Sequence, residues 1–420
     1  MKLTDKFLVI YLTSLSVFRI DFLGGNGNFS LTPALLLSLF LVPVLGIILL
    51  SGNLSVKKNV AYFMLMLFLF AGWCIITIVP IRDFIQVKRL VLFLIIILST
   101  VSFIILFSRS NHIKDIFERF CLYFISIYLL FSAIDVIIYT IPQSLVLIKR
   151  YLPFYDTELS HIGYYIIRLK GGFIDANVGG FFMIFLFLIL HYLDIGKRMR
   201  IIFSILIFCT FSKSAIGTLL FLYLLIWLSK LSFNNIKINF STKLKYANIK
   251  LIFIGLFFAG SFFFLLTSTN IAERVSSAVE ARLSEKDGST SIHLALIKEG
   301  LNFLSDNTLY LIKGYGFGSS SVLTQKFFPG DKYANFHSEY ITFLVELGII
   351  GTLIYLGIYL IPAWLFIFNK IAYKNLFLLL ALVAFAMQNV LYQQYLFHYY
   401  WVFIGMIWVL PSLTVHNEHV

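Results

Sequence analysis

Repeated apolar runs constrain this chain more than any other feature. They fall at about 7–23, 31–50, 60–80, 90–108, 120–141, 178–193, 199–212, 214–231, 249–268, 341–368, 375–392 and 396–413. A helix needs about 20 mostly apolar residues to cross a bilayer, so the runs read as spanning segments. Within lipid every backbone polar group must be satisfied internally, which helices achieve and open strands do not. The expected fold is therefore an all-α polytopic membrane protein with about 12 transmembrane helices. Composition agrees, since 13% of residues are charged against about 25% in soluble domains. Only Ser212, Lys213 and Ser214 separate the seventh run from the eighth.

Charge then orients the array. Lys2 and Lys6 precede the first run, and no small-residue cleavage site follows it, so it reads as a retained span and not a cleaved signal peptide. An even number of spans puts both termini on one side. With that side cytoplasmic, the inner segments carry 17 Lys and Arg, while the short outer loops carry only Arg82, Lys88, Arg89 and Lys213. The 33 basic residues against 20 acidic ones are thus mostly spent on topology, and a nucleic-acid partner loses its support. The bilayer is the expected environment.

Two outer segments are long, residues 142–177 and 269–338. Long connections in a compact bundle are usually functional or disordered. In the second, Val275, Val279 and Leu283 make one helical stripe, and Leu294, Ile297, Leu301 and Leu304 another. Ser289, Thr290 and Ser291 suit the cap of the latter. The chain divides accordingly into spans 1–9 over residues 1–268, a partly helical external loop over 269–338, and spans 10–12 over 339–420. No internal repeat is visible.

Cys74, Cys121 and Cys209 lie singly in apolar runs, without metal-ligand spacing. They read as structural thiols. Arg19, Asp21 and Asp135 fall toward the outer ends of their spans, where snorkelling or an Arg–Asp pair fixing helix packing accounts for them. Lys213 is either an interfacial anchor or a phosphate ligand. Residues 314–321, GYGFGSSS, suit either a phosphate-cradling turn or a tight turn that lets the chain approach the bundle. Residues 171–180, GGFIDANVGG, open the sixth span, with Asp175 or Asn177 as its cap.

The strongest chemical candidate is His337, in NFHSEYITFLVELGIIG at 335–351. With Ser338 it sits at the mouth of the tenth span, where free N–H groups and the helix dipole favour an anion. The same field disfavours a charged imidazole and keeps it able to accept a proton; Glu339 acts in the opposite sense. Glu346 lies nine residues on, about 180° round a continuous helix, so it is no adjacent partner. Arg274 and Arg282, eight residues apart, point within about 80° of each other on a continuous helix. Two guanidiniums on one face suit a pyrophosphate, or simply a solvated face shared with Glu273, Glu280 and Glu285. The 269–338 loop holds seven basic and seven acidic residues, so it is no bulk cationic funnel.

Taken together, the dozen spans, the large external loop between the ninth and tenth, HSEYITFLVELGIIG, GFIDAN, Ser212-Lys213-Ser214 and GYGFG resemble the bacterial O-antigen polymerase and O-antigen ligase superfamily. That resemblance implies a metal-independent glycosyltransferase without a cofactor, acting on undecaprenyl-pyrophosphate-linked glycans at the outer face of the cytoplasmic membrane. It implies His337 as catalytic base, Arg282 and Arg274 on the pyrophosphate, and Lys213 and Arg168 as lesser pyrophosphate ligands. A chain-length regulator and a flippase are the further partners it brings in. Lys213 departs from the arginine common in the family, and STSIH stands where another arginine is often found. A repeat-unit polymerase is favoured over a ligase on those departures. A flippase or exporter predicts midplane charge and symmetric halves, and neither is evident.

Overall fold

The computed structural model describes residues 2–22, 31–51, 56–78, 84–152, 155–159, 161–162, 166–234, 288–305, 308–327, 336–368 and 375–414. Helices form along the apolar runs, where the intra-segment ladder leaves no backbone group for lipid to satisfy. In order they are α1 (Leu3–Ser14), α2 (Pro33–Leu50), α3 (Lys58–Ile78), α4 (Phe84–Ser108) and α5 (Ile113–Thr140). The connection that follows holds a short α6 (Ser144–Tyr151) and an antiparallel hairpin of β1 (His161–Ile162) and β2 (Ile166–Ile167). Then come α7 (Ala176–Tyr192), α8 (Lys197–Cys209) and α9 (Lys213–Asn234). The second half holds α10 (Gly288–Ser305), α11 (Thr308–Lys313), α12 (Ser320–Phe327), α13 (Glu339–Phe368), α14 (Asn375–Leu391) and α15 (His398–Thr414).

By length and composition α3, α4, α5 and α13 are long and apolar enough to cross a membrane. Helices occupy the other apolar runs as well, except 249–268, which lies outside the described residues. So do Arg82, Arg274, Arg282 and the Val275, Val279 and Leu283 stripe.

Burial separates central helices from peripheral ones. Along α7 and α15 nearly every side chain is buried, whatever face it occupies. A helix apolar all round belongs in an interior, and α7 packs against α8 and α14 while α15 packs against α4 and α3. Around them α3 buries Phe63, Leu67, Phe70 and Cys74 and turns Leu65, Leu69 and Ile76 outward. Such apolar residues on an outer surface suit contact with lipid. Aromatic rings knit the centre, with Phe182 and Phe185 of α7 against Phe403 of α15 at centroid distances of 4.9 and 3.9 Å.

Several expectations are corrected. The first run is not helical to residue 23, because α1 stops at Ser14. The N–H groups of Phe18 and Arg19 go to the carbonyl of Gly172, at 2.7 and 3.1 Å, instead of to the preceding turn. Lys88 and Arg89, expected in a short loop, lie inside α4. Ser289, Thr290 and Ser291 lie within the first turn of α10 and are not its cap, since the helix begins at Gly288. The buried face of α10 is Leu296, Gly300 and Leu304, while Leu301 points out. The packing partners decide that face, because Phe336 and Ile341 press against Gly300.

The GYGFGSSS stretch takes the tight-turn reading. Gly314, Gly316 and Gly318 all adopt positive φ, and Tyr315 and Gly316 N–H donate to the Val345 and Glu346 carbonyls at 2.8 Å each. The turn is thereby strapped to α13, which is itself broken at Gly348 (φ 65, ψ −170). A Cβ on Gly348 would sit 2.2 Å from the Ile312 carbonyl oxygen. Gly348→Ala is expected to lower unfolding stability by at least about 1–2 kcal/mol from the left-handed backbone alone. Thermal unfolding in detergent reads this out, and an unchanged midpoint contradicts it.

Candidate functional site

The described candidate residues lie toward one end of the bundle. That end holds the C-termini of α1, α5, α8 and α14 and the N-termini of α7, α9, α13 and α15. Three arrangements of side chains build it.

The first is the mouth of α13. Phe336 is buried, Ser338 is in the capping position, and its carbonyl takes the Thr342 N–H at 2.9 Å. Between them His337 is half-buried with φ 55. A non-glycine residue in the left-handed region is uncommon, although histidine tolerates it better than most. Phe336 is held among Leu304, Leu323 and Val345, and Ser338 Oγ donates to the Asn389 carbonyl at 3.4 Å. His337 is thus pinned on both sides by its neighbours. Glu339 is fully buried, and its carboxylate accepts from the N–H groups of Gln394 and Tyr395 at 2.5 and 3.4 Å. It ties the α14–α15 connection to the helix mouth.

The second arrangement joins GFIDAN to the serine turn. Asp175 caps α7 by accepting from the Asn177 N–H at 2.5 Å, which settles the choice between the two caps. Asn177 instead presents Oδ1 to two donors, Arg168 at 2.7 Å and Ser212 Oγ at 2.7 Å. Arg168 Nε donates to the Thr210 carbonyl at 3.1 Å, and Ser212 Oγ also meets Ser214 Oγ at 3.1 Å. Arg168 is therefore buried and shapes the turn from which Lys213 opens α9. The Lys213 side chain lies outside the described residues.

The third is a buried ionic cluster. Arg19 Nη1 donates to Asp135 at 2.6 Å, both side chains almost wholly buried. Its Nε and Nη2 donate to the Asp156 carbonyl at 3.0 and 2.6 Å, and the guanidinium lies 4.3 Å from the Tyr155 ring centroid. Lys170 Nζ joins at 3.3 Å from the Asp156 carboxylate. Burial and the nearby Arg19 charge push the Lys170 ammonium below its ordinary value, and Asp156 pulls it back up. Of the two readings of Arg19 and Asp135 the packing pair holds, and it also anchors the 142–177 connection. Asp21 is not part of it, accepting instead from the Leu31 N–H at 2.8 Å.

Glu346 lies on α13 before the break at Gly348, so the break brings it no nearer His337. It is fully buried and accepts from Ser320 N–H at 3.1 Å, Ser320 Oγ at 2.5 Å and Tyr395 hydroxyl at 3.4 Å. It staples the glycine turn to the α14–α15 connection. Sequence reasoning missed the Arg168–Asn177–Ser212 triangle and the Asp156–Lys170 link. A polar Asn at the very start of the sixth apolar run was the available signal for the first. Cys74, Cys121 and Cys209 are free thiols.

A glycine turn, a serine turn and a histidine-bearing helix mouth thus lie toward one end of the bundle. Residues 199–356 match the O-antigen ligase family model. The match begins in α8, runs through the serine turn and the glycine turn, and ends in α13 beyond His337. It supports the O-antigen ligase and polymerase superfamily, and with it a glycosyl-transferring role in polysaccharide synthesis in a multi-pass membrane protein. No curated protein matches the chain.

Proposed function

We propose that this protein polymerises undecaprenyl-pyrophosphate-linked oligosaccharide repeats into a surface polysaccharide. The observation that carries the proposal is the family match running through both the serine turn and the His337 helix mouth. The work is done at the outer face of the cytoplasmic membrane by a twelve-span bundle with both termini inside. The positive-inside distribution supports that orientation.

In this reading the acceptor is a sugar hydroxyl of one lipid-linked repeat. His337 takes its proton as the oxygen bonds to the anomeric carbon of the donor glycan. The bond from that carbon to the pyrophosphate oxygen breaks, and undecaprenyl pyrophosphate leaves with the electron pair. The donor is already activated, so no nucleotide is required. Charge developing on the leaving pyrophosphate calls for fixed cations, with Arg282 and Arg274 proposed there and Lys213 beside them. Arg168 is proposed as a lesser pyrophosphate ligand that also holds the turn carrying Lys213, through Nε on the Thr210 carbonyl and Nη2 on Asn177. A chain-length regulator and a flippase are proposed as partners.

A ligase is the second reading, favoured by the printed description of the matched family. The two share the donor chemistry and differ in the acceptor. Purified protein in vesicles, given a defined lipid-linked repeat, is expected to produce a ladder of polymer lengths. Transfer only when a lipid A core acceptor is supplied supports the ligase instead, and transfer in neither case overturns the transferase reading. In the same assay Arg282→Lys is expected to lose on the order of 10²-fold in rate, since a point charge replaces a bidentate fork.

A further inference from the structure

The other end of the bundle holds a cavity of about 270 Å³. Its walls come from the N-termini of α3 and α14 and the C-terminal parts of α13 and α15, the ends remote from His337. Two prolines shape it. Pro362 of α13 and Pro411 of α15 both line the space, and a proline inside a helix removes one N–H and bends the rod. Pro362 cannot serve the carbonyl of Ile358, and Trp408 Nε1 donates to that oxygen at 3.0 Å. The freed carbonyl is satisfied while the space beside it stays open.

The cavity is apolar within and cationic at its rim. Phe366 and Trp408 are buried in its wall, and Tyr62 is exposed at its side. Lys58, Asn59 and Asn375 supply the polar groups, and among the described residues no acidic side chain lines it. The Lys58 ammonium stands 5.5 Å from the Tyr62 ring centroid. Lys57, next to it, donates to the Ser412 carbonyl at 3.0 Å and ties α15 to the start of α3.

We propose that this cavity binds an anionic phospholipid drawn from the surrounding bilayer. The phosphate sits with Lys58, Asn59 and Asn375, and the upper part of one acyl chain lies against Tyr62, Phe366 and Trp408. Three features select this occupant. The volume holds about nine groups of water size, which suits part of one chain and not a whole lipid. A cationic rim over an apolar floor is the pattern of a headgroup boundary, and basic pockets between helices recruit acidic lipids. A soluble phosphate would leave the floor uncovered. The inference rests on the membrane reading and not on the transferase reading, so either can fail alone.

The test uses the purified full-length protein in micelles, titrated with phosphatidylglycerol or phosphatidylcholine carrying brominated chains. Tryptophan quenching is followed in wild type and Trp408→Phe, whose difference isolates the buried Trp408. Phosphatidylglycerol is expected to quench the Trp408 component, with an apparent affinity roughly fivefold weaker in Lys58→Gln. Quenching by phosphatidylcholine at the same concentrations overturns the anionic specificity. An unquenched Trp408, or an unchanged affinity in Lys58→Gln, overturns the site. Because Trp408→Phe removes the bond to Ile358, a second arm is native mass spectrometry of retained phosphatidylglycerol. There, filling the cavity with Asn375→Trp is expected to abolish retention, and retention equal to wild type overturns the proposal.

Discussion

His337→Ala protein is expected to insert and fold as wild type does and to lose glycan transfer by about 10²–10⁴-fold, the usual contribution of a positioned base. The expectation rests on where the residue stands. It is half-buried at the mouth of α13, in the left-handed backbone region, between a buried Phe336 and a capping Ser338. Phe336 and Glu339 make anchoring contacts on either side, and these remain in the variant. Alanine tolerates φ 55 less well than histidine, so His337→Asn is the better-matched control, being at ease in that backbone and unable to act as a base. Reconstituted transfer of a labelled lipid-linked repeat is the measurement. A His337→Asn protein polymerising at the normal rate removes the histidine from the mechanism. The pH profile offers a second view, since a base at His337 requires activity to rise as the imidazole loses its proton.

The largest stability effect is expected at Arg19 and Asp135. Arg19 is wholly buried and 2.6 Å from Asp135. Removing one partner of a buried pair leaves an uncompensated charge and typically costs about 3–5 kcal/mol. Asp135→Leu leaves the guanidinium with the backbone carbonyls of Asp156, Gly171 and Glu158 and, as its counter-charge, the part-exposed Asp156 carboxylate at 3.9 Å. Arg19→Leu strands Asp135 in the same way and also removes the side-chain hydrogen bonds to the Asp156 carbonyl in the 142–177 connection. The double variant is expected to cost less than the two singles summed, because neither charge is then left alone. Thermal unfolding in detergent checks all three. Single variants with wild-type midpoints show that water reaches the pair and that it is not the clamp described. Loss of transfer is expected to accompany unfolding here, because Gly172, held through Phe18 and Arg19, leads directly into the capped start of α7.

Much of the helical architecture was legible from the apolar runs. Lipid leaves the backbone no alternative to a helix, so a run such as Lys58–Ile78 needs no tertiary information to be recognised. The end of α1 was not legible, because residues 15–22 remain apolar enough to continue the helix while Gly172, more than 150 positions away, takes the N–H groups of Phe18 and Arg19. The buried face of α10 failed for a similar reason. Leu294, Ile297, Leu301 and Leu304 make an acceptable stripe, yet the surface offered by Phe336 and Ile341 accepts Gly300 and its neighbours instead.

At the candidate site, sequence alone singled out His337 at a helix mouth, the GFIDAN and serine turns, and the glycine turn as separate local features. It also removed Glu346 as a partner of His337 by helical phase alone. Local chemistry suffices for such conclusions, since cap residues, glycines and helical periodicity act over a few positions. Only the tertiary structure decided that Asn177 receives both Arg168 and Ser212, that Arg19 closes on Asp135 across 116 positions, and that Glu346 is consumed by Ser320 and Tyr395. Those contacts join side chains from different helices. The relative rotation of packed helices sets them, and no short-range pattern along the chain encodes that rotation.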